Sequence, residues 1–284
     1  SLHDALPISK PAAARAAAAP GAAASTGHDE AIGEILITAE RREERLQEVP
    51  ISVSAFARTA MEVQGSRSID DIARLTPGVD FVRGTNYNSE SSAVSIRGIA
   101  SVAGTATTGV YIDDTPIQSR QLSFGTFDAY PHLFDLDRVE VLRGPQGTLF
   151  GSGSEGGTIR FITPDPQFGH SSAYARAEIG ATANGAPVSE FGMAGGSPLI
   201  ADTLSFRASA SYRYEGGYID RIDWHSAQSI DPHSNASTTK TARLALEWRI
   251  NDALSITPSF YYQYRHVDDT SAWWAPAPGT ADPT

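Results

Sequence analysis

From Ser171 onward, apolar and polar residues alternate along the chain with period two. Between 204 and 214 the even positions hold Leu204, Phe206, Ala208, Ala210, Tyr212 and Tyr214, and the odd ones Ser205, Arg207, Ser209, Ser211 and Arg213. The same rule orders Ala242, Leu244, Leu246, Trp248 and Ile250 against Thr241, Arg243, Glu247 and Arg249, and it recurs from 254 to 264. Weaker runs at 173–179 and 191–195 complete five predicted strands between 171 and 266. Side chains of a strand point alternately to its two faces, so this pattern requires a sheet between two different environments. Strands of about ten residues are long enough for a tilted membrane crossing. Short links at Pro198–Asp202 and Asn251–Ala253 contrast with a long polar link from Glu215 to Thr238, the turn asymmetry of an outer-membrane barrel. Trp248, Tyr212, Tyr214 and Tyr261–Tyr264 fall near strand ends, where an interfacial aromatic girdle would lie. A soluble β-sandwich also alternates and carries aromatics, so periodicity leaves both readings open.

Before Ser171 the pattern differs. Thr59–Gln64, stopped by Gly65, and Ser68–Thr76, with Ser68 as cap and Pro77 as stop, predict two short helices. Val94–Gly98, Gly109–Asp113, Val139–Leu142 and Thr158–Thr163 predict strands divided by Gly, Asp and Pro turns. Four strands and two helices make a small α+β domain. Upstream, Glu34-Ile-Leu-Ile-Thr-Ala39 is a strand-like hexapeptide with no obvious hairpin partner, followed by the charged run 40–45. Unpaired, it offers backbone donors and acceptors to another protein's sheet edge; the alternative is a first strand of the domain.

Composition removes several classes. There are 22 Lys+Arg against 33 Asp+Glu, a net charge of −11, which argues against a nucleic-acid partner. The absence of Cys excludes disulfides, thiolate metal sites and cysteine nucleophiles. Gly151-Ser-Gly-Ser-Glu-Gly156 matches a dinucleotide fingerprint, but a β-branched strand follows where a helix is required. His225 and His233 are too far apart for a helical metal pair. Asp113-Asp114 and Asp135-x-Asp137 read as turn or solvated acids, and no catalytic or metal constellation survives inspection.

The residues 34 to 266 resemble the TonB-dependent receptor family of Gram-negative outer membranes. The hexapeptide Glu34, Ile35, Leu36, Ile37, Thr38 and Ala39 looks like the TonB box, followed by Leu46-Gln-Glu-Val-Pro-Ile-Ser-Val-Ser54. Ser95-Ile-Arg-Gly-Ile99, Gly109–Asp113 and Asp137-Arg-Val-Glu-Val-Leu-Arg-Gly-Pro-Gln-Gly-Thr-Leu-Phe-Gly151 then follow in the family's order. The resemblance implies an α+β plug domain followed by antiparallel transmembrane β-barrel strands, about five of the roughly 22 that such a plugged barrel needs. It implies energised uptake of a scarce ligand, most commonly a ferric siderophore, with oligosaccharide or vitamin B12 as alternatives and a ligand-capture surface protein as the other class. Implied partners are the TonB protein, outer-membrane lipid and the small ligand. No cofactor is implied beyond iron in a transported chelate, no metal site, and no enzymatic activity. Arg97, Arg138, Glu140 and Arg143 look like charges that dock the plug in the barrel, and Gly98, Gly144, Gly147 and Gly151 like its tight turns. Tyr87, Arg120 and Phe124, in polar loops, are the candidate substrate contacts.

The expected organisation is therefore an unnatural lead at 1–9, reading like a sequencing adapter; a signal-peptide remnant or Ala-rich linker at 10–33; the TonB box at 34–39; the plug at 40–168; and the N-terminal part of the barrel at 171–284. The lack of an initiator Met and the Ala/Pro/Gly stretch after Trp274 read as a fragment.

Overall fold

A computed structural model describes residues 36–38, 44–45, 51–86, 89–100, 106–117, 130–223, 226 and 228–269. The first part is built on a five-stranded mixed sheet, β3-β8-β9-β6-β7. Its strands follow two short paired segments, β1 (Leu36–Ile37) and β2 (Glu44–Arg45), and in chain order the elements are β3 (Ser52–Ala57), α1 (Arg58–Val63), α2 (Ile69–Leu75), the hairpin β4 (Val79–Asn86) and β5 (Ser89–Ile96), β6 (Thr108–Ile112), β7 (Thr115–Pro116), β8 (Arg138–Arg143), the single turn α3 (Gly147–Phe150) and β9 (Gly157–Ile162). Both predicted helices form within a residue or two of their expected ends. Ser68 starts α2 as anticipated, with the Asp71 carboxylate accepting its backbone N–H at 3.0 Å and its hydroxyl at 3.0 Å.

Alternation sorts this sheet into two cores. Val139 and Val141 of β8 and Ile159 and Phe161 of β9 turn toward the helices and the β4-β5 hairpin, joining Met61, Ile69, Ile72, Val94 and Ile96. Glu140, Leu142, Thr158 and Arg160 turn the other way, where Leu142 packs with Ile37, Tyr111 and Phe150. Gly157 holds φ +155°, and a Cβ there would collide with the Leu142 carbonyl, so β9 can pair closely with β8 only with glycine at its start. The Gly151–Gly156 run thus leads into a strand, and the helix end that a nucleotide phosphate requires is missing there. Gly98, Gly144 and Gly151 take the positive φ of tight turns, whereas Gly147 simply opens α3.

The second part is one antiparallel sheet of consecutive strands: β10 (Ser172–Ala181), β11 (Pro187–Ile200), β12 (Leu204–Glu215), β15 (Ser237–Asn251), β16 (Leu254–Ile256) and β17 (Ser259–Val267). The fifth predicted strand is broken. Pro258 has no N–H for the ladder, so β16 and β17 are separate segments, yet both lie on β15 in one register, Ile256 opposite Trp248 and Ser259 opposite Ala245. The long link also holds more structure than expected. It carries a small hairpin, β13 (Arg221–Ile222) with β14 (Ser229–Asp231), and the Asn235 side chain braces it by accepting the N–H groups of Tyr218 and Ile219 at 2.8 and 2.9 Å.

This sheet is inverted relative to a soluble one. Ile179, Phe191, Met193, Leu244, Trp248, Phe260 and Tyr262 are exposed on its outer face, while Glu190, Ser205, Arg207, Ser211 and Arg243 are buried on the face that meets the plug. A sandwich would hide the first set and solvate the second. Among the described residues no helix is long and apolar enough to cross a membrane.

Candidate functional site

Two groups of residues join the elements. The first is a cage around Thr38. Glu140 and Arg160 face each other across the β8-β9 ladder on the same side of the sheet. Arg160 Nη1 donates to Glu140 Oε2 at 2.9 Å and also to the Thr38 carbonyl at 2.6 Å. Thr38 in turn donates its backbone N–H to Glu140 Oε1 at 2.9 Å. Arg138 completes the cage, donating to Glu140 Oε1 at 2.8 Å and to Thr38 Oγ1 at 3.2 Å. Burial alone would lower the Arg138 pKa, but the Glu140 and Asp137 carboxylates outweigh it and raise the value, so the guanidinium stays charged. Arg160 Nη2 reaches Asp114 Oδ1 at 3.1 Å, linking the cage to the β6-β7 turn.

Of the expected TonB-box residues, Leu36, Ile37 and Thr38 are thus docked on the plug, while Glu34, Ile35 and Ala39 lie outside the described residues. The segment has a hairpin partner after all: Leu36 pairs with Arg45 and Ile37 with Glu44. The sequence hid this partner because a two-residue strand in a charged run has no periodicity to read.

The second group joins plug to wall, and its main contributor is the stretch 130–136. Gln263 of β17 accepts the His132 N–H and donates to the Tyr130 carbonyl, each at 2.9 Å. Arg176 of β10 donates to the Leu133 carbonyl at 3.0 Å. The Phe134 ring fills the space in front of Gly192 of β11 and lies 5.0 Å from the Arg176 guanidinium. Asp135, in a turn with φ +51° and its side chain fully buried, takes Arg207 of β12 through both carboxylate oxygens, Nε to Oδ2 at 2.9 Å. Asp135 is therefore a turn residue as expected, but a buried counter-ion instead of a solvated one. Farther along the strands, Glu178 and Glu190 stand directly opposite each other on β10 and β11. That like-charge pair is offset by Arg67 of the plug on Glu178, at 2.7 Å, and by Arg176 and Arg213 on Glu190.

The four residues expected to dock the plug are placed differently from one another. Arg138 and Glu140 belong to the cage. Arg143 donates to the Pro77 carbonyl at 3.0 Å, and Arg97 is exposed at a turn next to Gly144. The hydrogen bonds described for these four stay within the plug and the Thr38 segment, and contacts to the wall include those of Arg67, the stretch 130–136 and the Pro164 carbonyl, which accepts from Arg243 at 3.1 Å. Tyr87, Arg120 and Phe124 lie outside the described residues. Among those described, no group of three or more His, Asp or Glu is placed to hold a metal ion.

The second group runs along the strands, from Arg207 near the short turn before Leu204 to Glu190 and Arg213 near the long link. Phe168 lies under Arg249 at 4.3 Å, beside the short turn after β15, and Asp113 of the β6-β7 turn accepts the Thr163 N–H at 2.8 Å. A cavity of about 80 Å³ between plug and wall lies toward the long loop, lined by Arg67, Phe81, Tyr130, Arg213, Glu215 and Gln263. In outer-membrane barrels short turns face the periplasm and long loops the exterior.

Because Gly192 leaves only the room that Phe134 fills, Gly192→Val is expected to destabilise the docked plug by about 1–3 kcal/mol. A lowered urea midpoint for plug release from the refolded receptor checks this.

Comparison with known proteins agrees with this architecture. Residues 45–158 match the model of the TonB-dependent receptor plug domain. The chain is 33% identical to the pesticin receptor of Yersinia pestis over 136 residues, 46% of this chain and 19% of that protein. It is 28% identical over 181 residues to the ferripyoverdine receptor of Pseudomonas aeruginosa, 62% of this chain and 20% of that one. The crystal structure of the latter bound to ferripyoverdine superposes with a TM-score of 0.63 at 24% identity, covering 82% of this chain and 28% of the receptor. The chain thus spans under a third of the length of each. Residues 45–158 therefore match a TonB-dependent receptor plug domain, and the strands that follow share the fold of the wall strands in the superposed receptor.

Proposed function

We propose that this chain is the plug and first wall strands of an outer-membrane receptor that takes up a ferric siderophore by energy delivered from the periplasm. The observation that carries this reading is a strand segment, Leu36–Thr38, docked on the plug, together with a cavity between plug and wall toward the long-loop end. Iron enters as substrate. The relatives named for ferripyoverdine and for ferrichrome uptake, the latter 24% identical over 250 residues in Escherichia coli, support the cargo. Residues 34–39 would present a strand to the TonB protein by β-augmentation. Pulling on it would move the plug, while the bonds from 130–136 keep one side of it on the wall. Catalysis has no place in this reading.

The test is uptake of radiolabelled ferric siderophores and oligosaccharides by a deletion strain carrying the full-length gene, with and without residues 34–39. Siderophore uptake should fall to background without the hexapeptide while surface binding persists. Undiminished uptake would make the hexapeptide a structural strand only.

A further inference from the structure

We propose that the exposed face of the wall carries a binding site for a phosphate-bearing lipid of the outer leaflet, with Lys240 as the phosphate ligand between Tyr212 and Tyr264. The inference goes beyond the uptake reading and takes from it only the outer-membrane setting. Lys240 is exposed on β15, and its partners across the two ladders are Tyr212 of β12 and Tyr264 of β17. Phe191 of β11, opposite Tyr212, extends the row, and all three aromatics are exposed. Among the described strands, the side that Lys240 shares with this row carries no other Lys or Arg and no Asp or Glu. A single cation on an apolar face needs a reason, and its depth supplies one. Lys240 lies three residues into β15 from the long link, and eight residues, about 27 Å along the strand, from Trp248. That separation puts the two rows at the two edges of an apolar band, and the long link marks the Lys240 row as the exterior one. Lys240 therefore stands at the level of the outer headgroups. There its ammonium can make a charge-assisted bond to a phosphate oxygen, and the flanking phenols can donate further bonds.

The shape beneath the row completes the site. One step nearer the short turns, the residues opposite one another are Met193, Ala210, Ala242 and Tyr262, and the step after that begins with Gly195 and Ala208. Ala210 and Ala242 thus floor a shallow trough directly below the lysine, with the exposed Met193 and Tyr262 as its walls. A lysine that only extended its ammonium to water would need no such floor. An acyl chain hanging from a bound headgroup gains from it, because close contact along the chain adds dispersion attraction atom by atom. Cation, phenols and trough together fit one molecule that is anionic at its head and apolar below.

The test uses the full-length receptor in detergent, mixed with lipid A that carries its phosphates or with the same lipid after dephosphorylation, and native mass spectrometry gives the affinity of the first lipid retained. The phosphorylated form should bind about fivefold better. Lys240→Gln should remove that preference, Lys240→Arg should keep most of it, and added inorganic phosphate should not displace the lipid. Ala242→Leu keeps the charge and fills the trough, so it should weaken both forms by about threefold. Four results overturn the site and leave the uptake reading standing: binding without preference for phosphate, a preference that survives Lys240→Gln, displacement by inorganic phosphate, or an Ala242→Leu variant that binds as the parent does. A receptor that retains neither lipid overturns the site together with the membrane setting.

Discussion

Asp135→Asn is expected to destabilise the docked plug by about 3–5 kcal/mol, the cost of leaving one member of a buried ion pair without its partner. The side chains of Asp135 and Arg207 are both buried, and Arg207 spends Nε and Nη2 on this carboxylate. Asn keeps the shape and tolerates the positive φ of position 135, so the loss isolates the charge. Arg58, 4.0 Å away, adds a second cation that the neutral amide would leave unbalanced. The full-length receptor in planar bilayers should leak more as the variant, and the urea midpoint for plug release should fall. The double variant with Arg207→Gln should recover most of the loss, because an amide pair can satisfy itself where a lone guanidinium cannot. Unchanged leak and midpoint in the single variant would mean that the plug is held elsewhere.

That prediction rests on a residue the sequence presented as ordinary. Asp135-x-Asp137 carries every mark of a turn, and Asp135 does occupy one; what no local pattern encodes is the arginine 72 positions away that buries it. His132 stands in no motif, although its place is against Glu190 at 3.5 Å on the wall. Legibility followed periodicity. Strands of ten or more residues with two distinct faces announced themselves, but which face is buried, the polarity that separates a membrane wall from a sandwich, is seen only in the fold. Segments of two or three residues, such as Arg221–Ile222 or Glu44–Arg45, are too short for any period, and they form by pairing with an equally short segment nearby in the chain. Glu140 and Arg160 show an intermediate case. The family resemblance assigns Glu140 to docking and gives Arg160 no role, and only the fold shows that both turn to the face covered by residues 37 and 38.

The outer face supplies the most discriminating substitution. Leu244 is at the middle of β15, half exposed, with Ala208 and Phe260 as its cross-strand neighbours. If this face met water, Leu244→Arg would be a surface change worth within about 0.5 kcal/mol either way. Against lipid at the middle of the bilayer the same change should cost about 2–4 kcal/mol. Trp248 lies on the same face four residues nearer the short turn, about 13 Å along the strand and so close to the interface. Trp248→Arg should therefore cost only about 0–1 kcal/mol through its charge, leaving aside the lost indole packing. Urea unfolding of the receptor in lipid vesicles measures both. The gradient is the test, since depth is the one variable that lipid imposes and water does not. Equal small costs at the two positions would place this face in water and return the sheet to a soluble architecture, even though its charged side is buried.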